Sequence, residues 1–338
     1  MKLLFITPKI DERHDDLAFA SLWARAFQDA GFEVEVICTA KGESTLPFPV
    51  HSLGGENGAS RYVQFLRFQK LIMSLKYDRV FVHMTPRWHA SGSWYWWMKR
   101  IPTYLWYTHY TNTPSLRISV LTVKRMFAAT KECLPQYDND PRKIVTGHGI
   151  DTKFWESRTL DDSAREPKMH LLAVHRISRS KRLDIAIRAL ALLPPEYTLT
   201  HYGRPQDPRI DPTYQKEIED LVVQLGLQNR VVFKGAVPMS ELPNIYPKYR
   251  VFVNMVPQTI DKTVLEAMYC GLTPVIIKGH ADAIGYPDAP SNESPEAVAE
   301  FIRNMQIKSS DELRAIVSTR HSLKGLVEKM SAYIREGN

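Results

Sequence analysis

Short unbroken apolar runs alternate along this chain with stretches whose apolar residues recur every three or four positions. Lys2–Thr7 is the first run and predicts a buried strand. Phe19, Leu22, Trp23, Ala26, Phe27 and Ala30 then fall on one face of a predicted helix, capped by Asp15 or Asp16 and ended by Gly31. Further strands are predicted at Phe32–Cys38, Arg79–His83, Thr103–Tyr107 and Lys143–Thr146, and helices at Arg61–Leu75, Ser91–Lys99, Ser115–Phe127 and Lys131–Gln136. Residues 154–168 interrupt the alternation with a polar, charged stretch that reads as a linker. Beyond it a second alternating run predicts strands at His170–Val174, Tyr197–Tyr202, Arg230–Phe233, Val251–Val256 and Pro274–Ile277. Its helices are predicted near Arg182–Leu193, Thr213–Leu225, Ser240–Tyr246, Lys262–Cys270 and Pro295–Met305, and Ser310–Arg335 reads as helical throughout.

Strands alternating with helices at this spacing imply right-handed crossovers and parallel sheets. The expected fold class is therefore α/β, with two doubly wound Rossmann-like domains, 1–153 and 169–315, facing a cleft. Ligands are expected at the carboxyl ends of the strands.

The 338 residues fit two domains, and 44% hydrophobic with 24% charged residues is ordinary for a globular protein. No apolar run approaches the roughly 18 residues that span a bilayer. Leu3–Ile6 is too short for a signal-peptide core, so a cytoplasmic protein is expected. The three cysteines, Cys38, Cys133 and Cys270, are too few and too scattered for a disulfide framework or a zinc cluster.

Charge changes the picture more than composition does. The net charge of +7 sits mostly in residues 1–150, with 19 Lys/Arg against 13 Asp/Glu. Residues 61–131 hold twelve basic residues and one acid, Asp78, together with five of the seven tryptophans. Basic residues interleaved with aromatics suit an anionic membrane face or a nucleic acid. The same pattern also arises when tryptophans fill a core and the cations are merely solvated.

Several familiar sites are absent. Thr7–Arg13 after the first strand lacks the glycines of a dinucleotide-binding turn, and there is neither a Walker A sequence nor a Gly-x-Ser-x-Gly elbow. The informative segment is Val251–Ile277, an apolar strand, a loop, Asp261 at an N-cap position, a helix running to Gly271 and another apolar strand. Amides at such a helix start bind anions.

Glu266-Ala267-Met268-Tyr269-Cys270-Gly271 resembles the end of the donor-binding signature of retaining family 4 (group 1) glycosyltransferases, which have the GT-B fold. The earlier glutamate of that signature falls at Gln258. Gly149–Phe154, Val174–Ile177 with Lys181, Val232–Gly235 and Trp106–His109 resemble further family segments in the same order. The resemblance implies that Arg176 and Lys181 hold the donor diphosphate and that His109 is the active-site histidine. It further implies donor contacts at Gln258, Asp261, Lys262, Thr263, Glu266, Gly235 and Gly203, and a last helix, 316–338, that returns to the first domain. Arg13, His14 and Asp15 are the acceptor-side candidates, although the Gly-Gly common in that loop of the family is missing.

The activity so implied is transfer of a sugar from a UDP- or GDP-sugar, with retention, to a glycan or lipid-linked acceptor. No metal and no cofactor beyond the donor is expected, and no nucleic-acid partner. Residues 61–131 are then expected to meet an anionic membrane, which would make the protein peripheral at the inner membrane face. A nucleotide-sugar-binding protein of weak or no activity, and a sugar-nucleotide epimerase, are the alternative readings.

Overall fold

A computed structural model describes residues 1–156, 165–257 and 259–336. The chain divides into two compact units, Met1–Gly149 with Leu323–Asn338, and Ile150–Ser322.

The first unit is built on seven strands: β1 (Lys2–Ile10), β2 (Glu33–Lys41), β3 (Val50–Ser52), β4 (Arg79–His83), β5 (Thr103–Trp106), β6 (Arg125–Ala128) and β7 (Lys143–Val145). They lie in the order β3-β2-β1-β4-β5-β6-β7, with every pairing parallel. The helices are α1 (Phe19–Asp29), α2 (Arg61–Ser74), α3 (Pro86–Met98) and α4 (Pro114–Thr122). Ser60 and Thr113 cap α2 and α4 by accepting backbone N–H bonds. Right-handed crossovers put α2, α3 and α4 side by side on one sheet face and α1 on the other. The central strands are apolar on both faces because helices cover both.

The second unit has five parallel strands, β8 (His170–Val174), β9 (Thr198–Tyr202), β10 (Val231–Phe233), β11 (Val251–Asn254) and β12 (Thr273–Ile276), in the order β10-β9-β8-β11-β12. Its helices are α5 (Leu183–Ala191), α6 (Tyr214–Gln224), α7 (Leu242–Ile245), α8 (Lys262–Tyr269), α9 (Lys278–Ile284), α10 (Pro295–Asn304) and α11 (Ser310–Arg320). The strand order reverses between β8 and β11, which opens a crevice at their carboxyl ends. No helix among the described residues is long and apolar enough to cross a membrane.

Several expectations need correction. The predicted helix 115–127 is α4 followed by β6, because the apolar run Met126–Ala128 is buried in the sheet between β5 and β7. Lys131–Gln136 is not an α-helix: Pro135 follows Leu134, which takes φ 56°, and only a 3-10 turn forms at Pro135–Tyr137. Neither Asp15 nor Asp16 caps α1, whose N-cap is Ala18 with no side-chain bond. β3 and α9 are additional elements, and α3 starts at Pro86 rather than Ser91.

The predicted C-terminal helix is two helices, α11 and α12 (Leu323–Glu336), parted at His321 and Ser322. His321 Nε2 bonds the Ile284 carbonyl at 3.0 Å, its own carbonyl accepts from Ile150 N–H at 2.9 Å, and Ser322 bridges Ile150. Tertiary hydrogen bonds there replace those a continuous helix would make. The domain boundaries shift accordingly. The first unit ends at Gly149 instead of residue 153, and its returning helix begins at Leu323 instead of 316. The start of the expected linker packs into the second unit, where Trp155 is buried against Tyr246 at 5.6 Å. At its far end Arg165 donates to the carbonyls of Pro247, Cys270 and Gly271. Residues 157–164 of the expected linker lie outside the described residues.

Candidate active site

The site residues of the second unit gather at the carboxyl ends of β8 and β11. Beyond β11 the chain turns into α8, whose N-cap is Asp261. Its Oδ1 accepts from Thr263 N–H at 3.2 Å and from the Thr263 hydroxyl at 3.1 Å. Its Oδ2 accepts from Lys181 Nζ at 2.6 Å and from the Asn254 side-chain amide at 3.0 Å. Burial by itself would raise the Asp261 pKa, but the Lys181 charge and these hydrogen bonds prevail and hold it far below the usual carboxylate range. Asp261 is therefore an anion seated at a helix N-terminus, and Lys181 is tied to it.

Glu266 points from the next turn of α8 and is 1% exposed. Lys262 Nζ donates to its Oε1 at 3.3 Å, and the Tyr246 hydroxyl lies 3.5 Å from Oε2. Burial raises the Glu266 pKa, with the Lys262 charge opposing. Both carboxylate oxygens thus have a protein neighbour.

Arg176 follows His175 directly beyond β8 and is half-buried. The His175 ring donates from Nδ1 to the Arg176 carbonyl at 3.0 Å. Burial, reinforced by the Lys181 charge, pulls the His175 pKa down to about 4, so the ring is neutral at physiological pH. Gly203 lies beyond β9 and Gly235 beyond β10, and Gly203 N–H donates to the Gly235 carbonyl at 2.8 Å. Gly203 has φ 146°, and a Cβ there would stand 1.9 Å from the His175 carbonyl oxygen. Only glycine lets this backbone pass so close to the end of β8. Gln258 lies outside the described residues.

In the first unit, His109 is exposed, three residues beyond β5, with its ring 5.2 Å from that of Tyr107. Its carbonyl accepts from Leu134 N–H at 3.3 Å. Arg13 is exposed and ion-paired to Glu43 at 3.2 Å. His14 Nδ1 accepts from the backbone N–H groups of Asp16 and Leu17, both at 3.1 Å, and the Asp15 carboxylate stands 3.1 Å from the same nitrogen. His14 thereby organises the entry to α1, the role expected of Asp15 or Asp16.

Three contributors escaped sequence reasoning: Asn254 on Asp261, Tyr246 beside Glu266, and His280, whose Nε2 accepts the Asp261 N–H at 3.2 Å. His280 sits on α9, and no motif surrounds it. Asn254 carried a usable signal, as a polar residue ending an otherwise apolar strand before the informative loop. Among the described residues no group of three or more His, Cys, Asp or Glu comes together to hold a metal ion.

The arrangement offers fixed cations, backbone amides and a buried carboxylate at one sheet end, the inventory for holding a diphosphate and neighbouring hydroxyls. The family model described as "Glycosyl transferases group 1" matches residues 161–285, and that described as "Glycosyl transferase 4-like" matches residues 14–135. The chain belongs to the group 1 glycosyltransferases. Its GT-B fold is shared with solved glycosyltransferase structures. Anabaena HepE, in complex with UDP and glucose, aligns over 99% of this chain and 100% of its own at a TM-score of 0.78 and 18% identity. Sucrose-phosphate synthase from Thermosynechococcus elongatus aligns over 99% of each chain at a TM-score of 0.75 and 15% identity. WaaG, a glycosyltransferase involved in lipopolysaccharide biosynthesis, covers 98% of this chain and 99% of its own at a TM-score of 0.70 and 16% identity. No curated protein sequence matches the glycosyltransferase closely enough to count as a relative.

Proposed function

We propose that this glycosyltransferase moves a sugar from a nucleoside diphosphate donor to an acceptor hydroxyl with retention of configuration and without a metal. The observation that carries the reading is the meeting of Lys181 with the start of α8 at Asp261. It puts a cation and a helix N-terminus at the switch point of the second sheet, where a leaving diphosphate needs positive charge. Arg176 supplies a second cation from the end of β8. Glu266 accepts hydrogen bonds from the ribose hydroxyls, and the backbone at Gly235, where even a Cβ would meet nothing within 4 Å, leaves room for the nucleotide beside Gly203. The anomeric carbon–phosphate oxygen bond breaks, the acceptor oxygen bonds to that carbon, and the acceptor proton passes to a phosphate oxygen of the leaving diphosphate. His109 contacts the donor sugar, and Arg13, His14 and Asp15 lie on the acceptor side. The acceptor is a glycan or lipid-linked glycan, and the expected location is the cytoplasmic face of the inner membrane. UDP and glucose in the Anabaena neighbour favour a uridine donor over GDP.

The test is a thermal-shift series with UDP, GDP and their sugar conjugates, with and without chelator, followed by assay of nucleotide release. A donor at one hundred times its Kd should stabilise the protein by about 2.7 kcal/mol. A shift with one nucleotide sugar that survives chelation, with slow release of its nucleotide, supports the reading. Absence of any shift overturns it, and binding without release under every acceptor tried leaves a nucleotide-sugar-binding protein.

A further inference from the structure

We propose that a pocket at the outer edge of the second sheet binds a neutral carbohydrate, apart from the candidate active site. The inference goes beyond the donor reading and stands without it. The pocket has a volume of about 520 Å³, within the roughly 300–1,000 Å³ of small-molecule sites. It reaches Thr273, where β12 begins beside Val251 at the amino end of β11. Asn254, which bonds Asp261 in the candidate active site, stands at the other end of β11. The two sites therefore belong to opposite ends of the same pair of strands.

Three segments wall the pocket, and each is fixed. α10 brings Glu300, Phe301 and Asn304, the chain after α10 brings Gln306 and Lys308, and the chain after α9 brings Tyr286 and Asp288. The Lys308 backbone N–H donates to the Thr273 hydroxyl at 2.9 Å, and that of Tyr286 to the Ala281 carbonyl at 2.9 Å. Lys308 Nζ lies 3.0 Å from the Asp288 carboxylate and 3.5 Å from that of Glu312, which ties the second segment to the third and to α11. Walls already held in this way leave little to be ordered on binding.

Tyr286 is the observation that points to a ligand. It is 3% exposed, yet its hydroxyl has no hydrogen-bond partner among the described residues. The oxygen is not sealed in the core but stands where solvent reaches, on the pocket wall. A buried tyrosine ordinarily gives its hydroxyl a partner. Burial, followed by the charges of Asp288 and Glu312, raises its pKa, so it remains a donor. The side chains of Glu300, Asn304 and Gln306 also have no partner among the described residues. Together they offer carboxylate and amide oxygens as acceptors and amide N–H groups as donors.

This mixture selects the ligand class. An apolar ligand would strand the tyrosine hydroxyl and the amides. An anion would face the unpaired Glu300, with Lys308 already shared by two carboxylates, and a cation would be repelled by Lys308. A pyranose ring carries hydroxyls that both donate and accept, and its C–H face can lie on the apolar wall at Phe301.

The experiment is a saturation-transfer NMR titration of the full chain with glucose, maltose, cellobiose and chitobiose, in the presence of excess UDP. At least one of these saccharides should bind. Tyr286→Phe should weaken that binding roughly five- to tenfold and Glu300→Ala roughly fivefold. Both variants should keep the wild-type Tm and the wild-type response to UDP, because neither lost group has a protein partner. A lower Tm for Tyr286→Phe would give the hydroxyl a structural role and overturn the proposal. So would failure of all four saccharides to bind, binding that both variants leave intact, or binding that UDP displaces. A stronger response to spermidine or to inorganic phosphate than to any saccharide would overturn the ligand class. Absence of a UDP response counts against the donor reading alone.

Discussion

Asp261 shows how one side chain sets the state of a site. It caps α8, carries a full negative charge and holds Lys181 at 2.6 Å, so the group best placed to bind a diphosphate is already engaged by an internal anion. A diphosphate must draw Lys181 from Asp261 or share it. Asp261→Asn keeps the cap, since asparagine caps as well as aspartate, but removes the competing charge. The variant should bind UDP roughly tenfold tighter, about 1.4 kcal/mol, by calorimetry. Its nucleotide-free form should lose about 1–3 kcal/mol of stability, because Lys181 is left without its partner. Unchanged UDP affinity would mean that Asp261 serves α8 alone. The positions of Glu266, Lys181 and Arg176 about the start of α8 and the end of β8 were readable from their place in motifs. Asn254 left a mark as the polar end of an apolar strand, whereas Tyr246 and His280 left none, because each reaches the site from an element about twenty residues away along the chain.

At the scale of elements, α12 is the clearest case of a segment whose partner lies far along the chain. Leu326, Val327, Met330 and Ile334 are buried in the core of the first unit, where α12 packs on α1. Arg79 Nε donates to the Ile334 carbonyl at 3.2 Å and the Tyr104 hydroxyl to that of Tyr333 at 3.2 Å. Met330→Ala should destabilise the first unit by about 2–5 kcal/mol, whereas exposed Lys324→Ala should cost under about 0.5 kcal/mol. Urea unfolding followed by tryptophan fluorescence can read this, since six of the seven tryptophans belong to the first unit. Equal midpoints for the two variants would show that α12 contributes little. The amphipathic pattern of this tail was visible, but the break at His321 was not, because hydrogen bonds to Ile150 and Ile284 cause it.

Across the whole molecule, five buried histidines share one electrostatic signature. Burial lowers His83 and His89 to about 3 and His175 and His280 to about 4, and pulls His201 well below its ordinary value. Their folded pKa values lie below the unfolded value near 6.5, so the unfolded chain binds more protons in that interval and stability rises with pH. Their contribution is complete above about pH 6.5 and is lost as pH falls toward 4 and 3. Glu266, raised by burial, acts in the opposite sense. At pH 5 each of the four rings lowered to about 3 or 4 should add nearly one proton to the uptake on unfolding, measured from the dependence of Tm and unfolding enthalpy on pH. An uptake below one would contradict the neutral, buried placement of these rings.

Periodicity alone determined that strands and helices alternate, because a strand buried on both faces and an amphipathic helix leave different marks on a sequence. The spacing of Lys181 and Asp261–Glu266 likewise marked a helix start near a strand end. Folding decided what local pattern cannot encode. It made Met126–Ala128 a strand, since β6 is held by pairing with β5 and β7 rather than by propensity. It also sorted the tryptophans, burying Trp88, Trp96 and Trp106 while leaving Trp94 and Trp97 on the surface. An indole has the same hydrophobicity wherever it stands in the chain, and only packing determines which indoles lose contact with water.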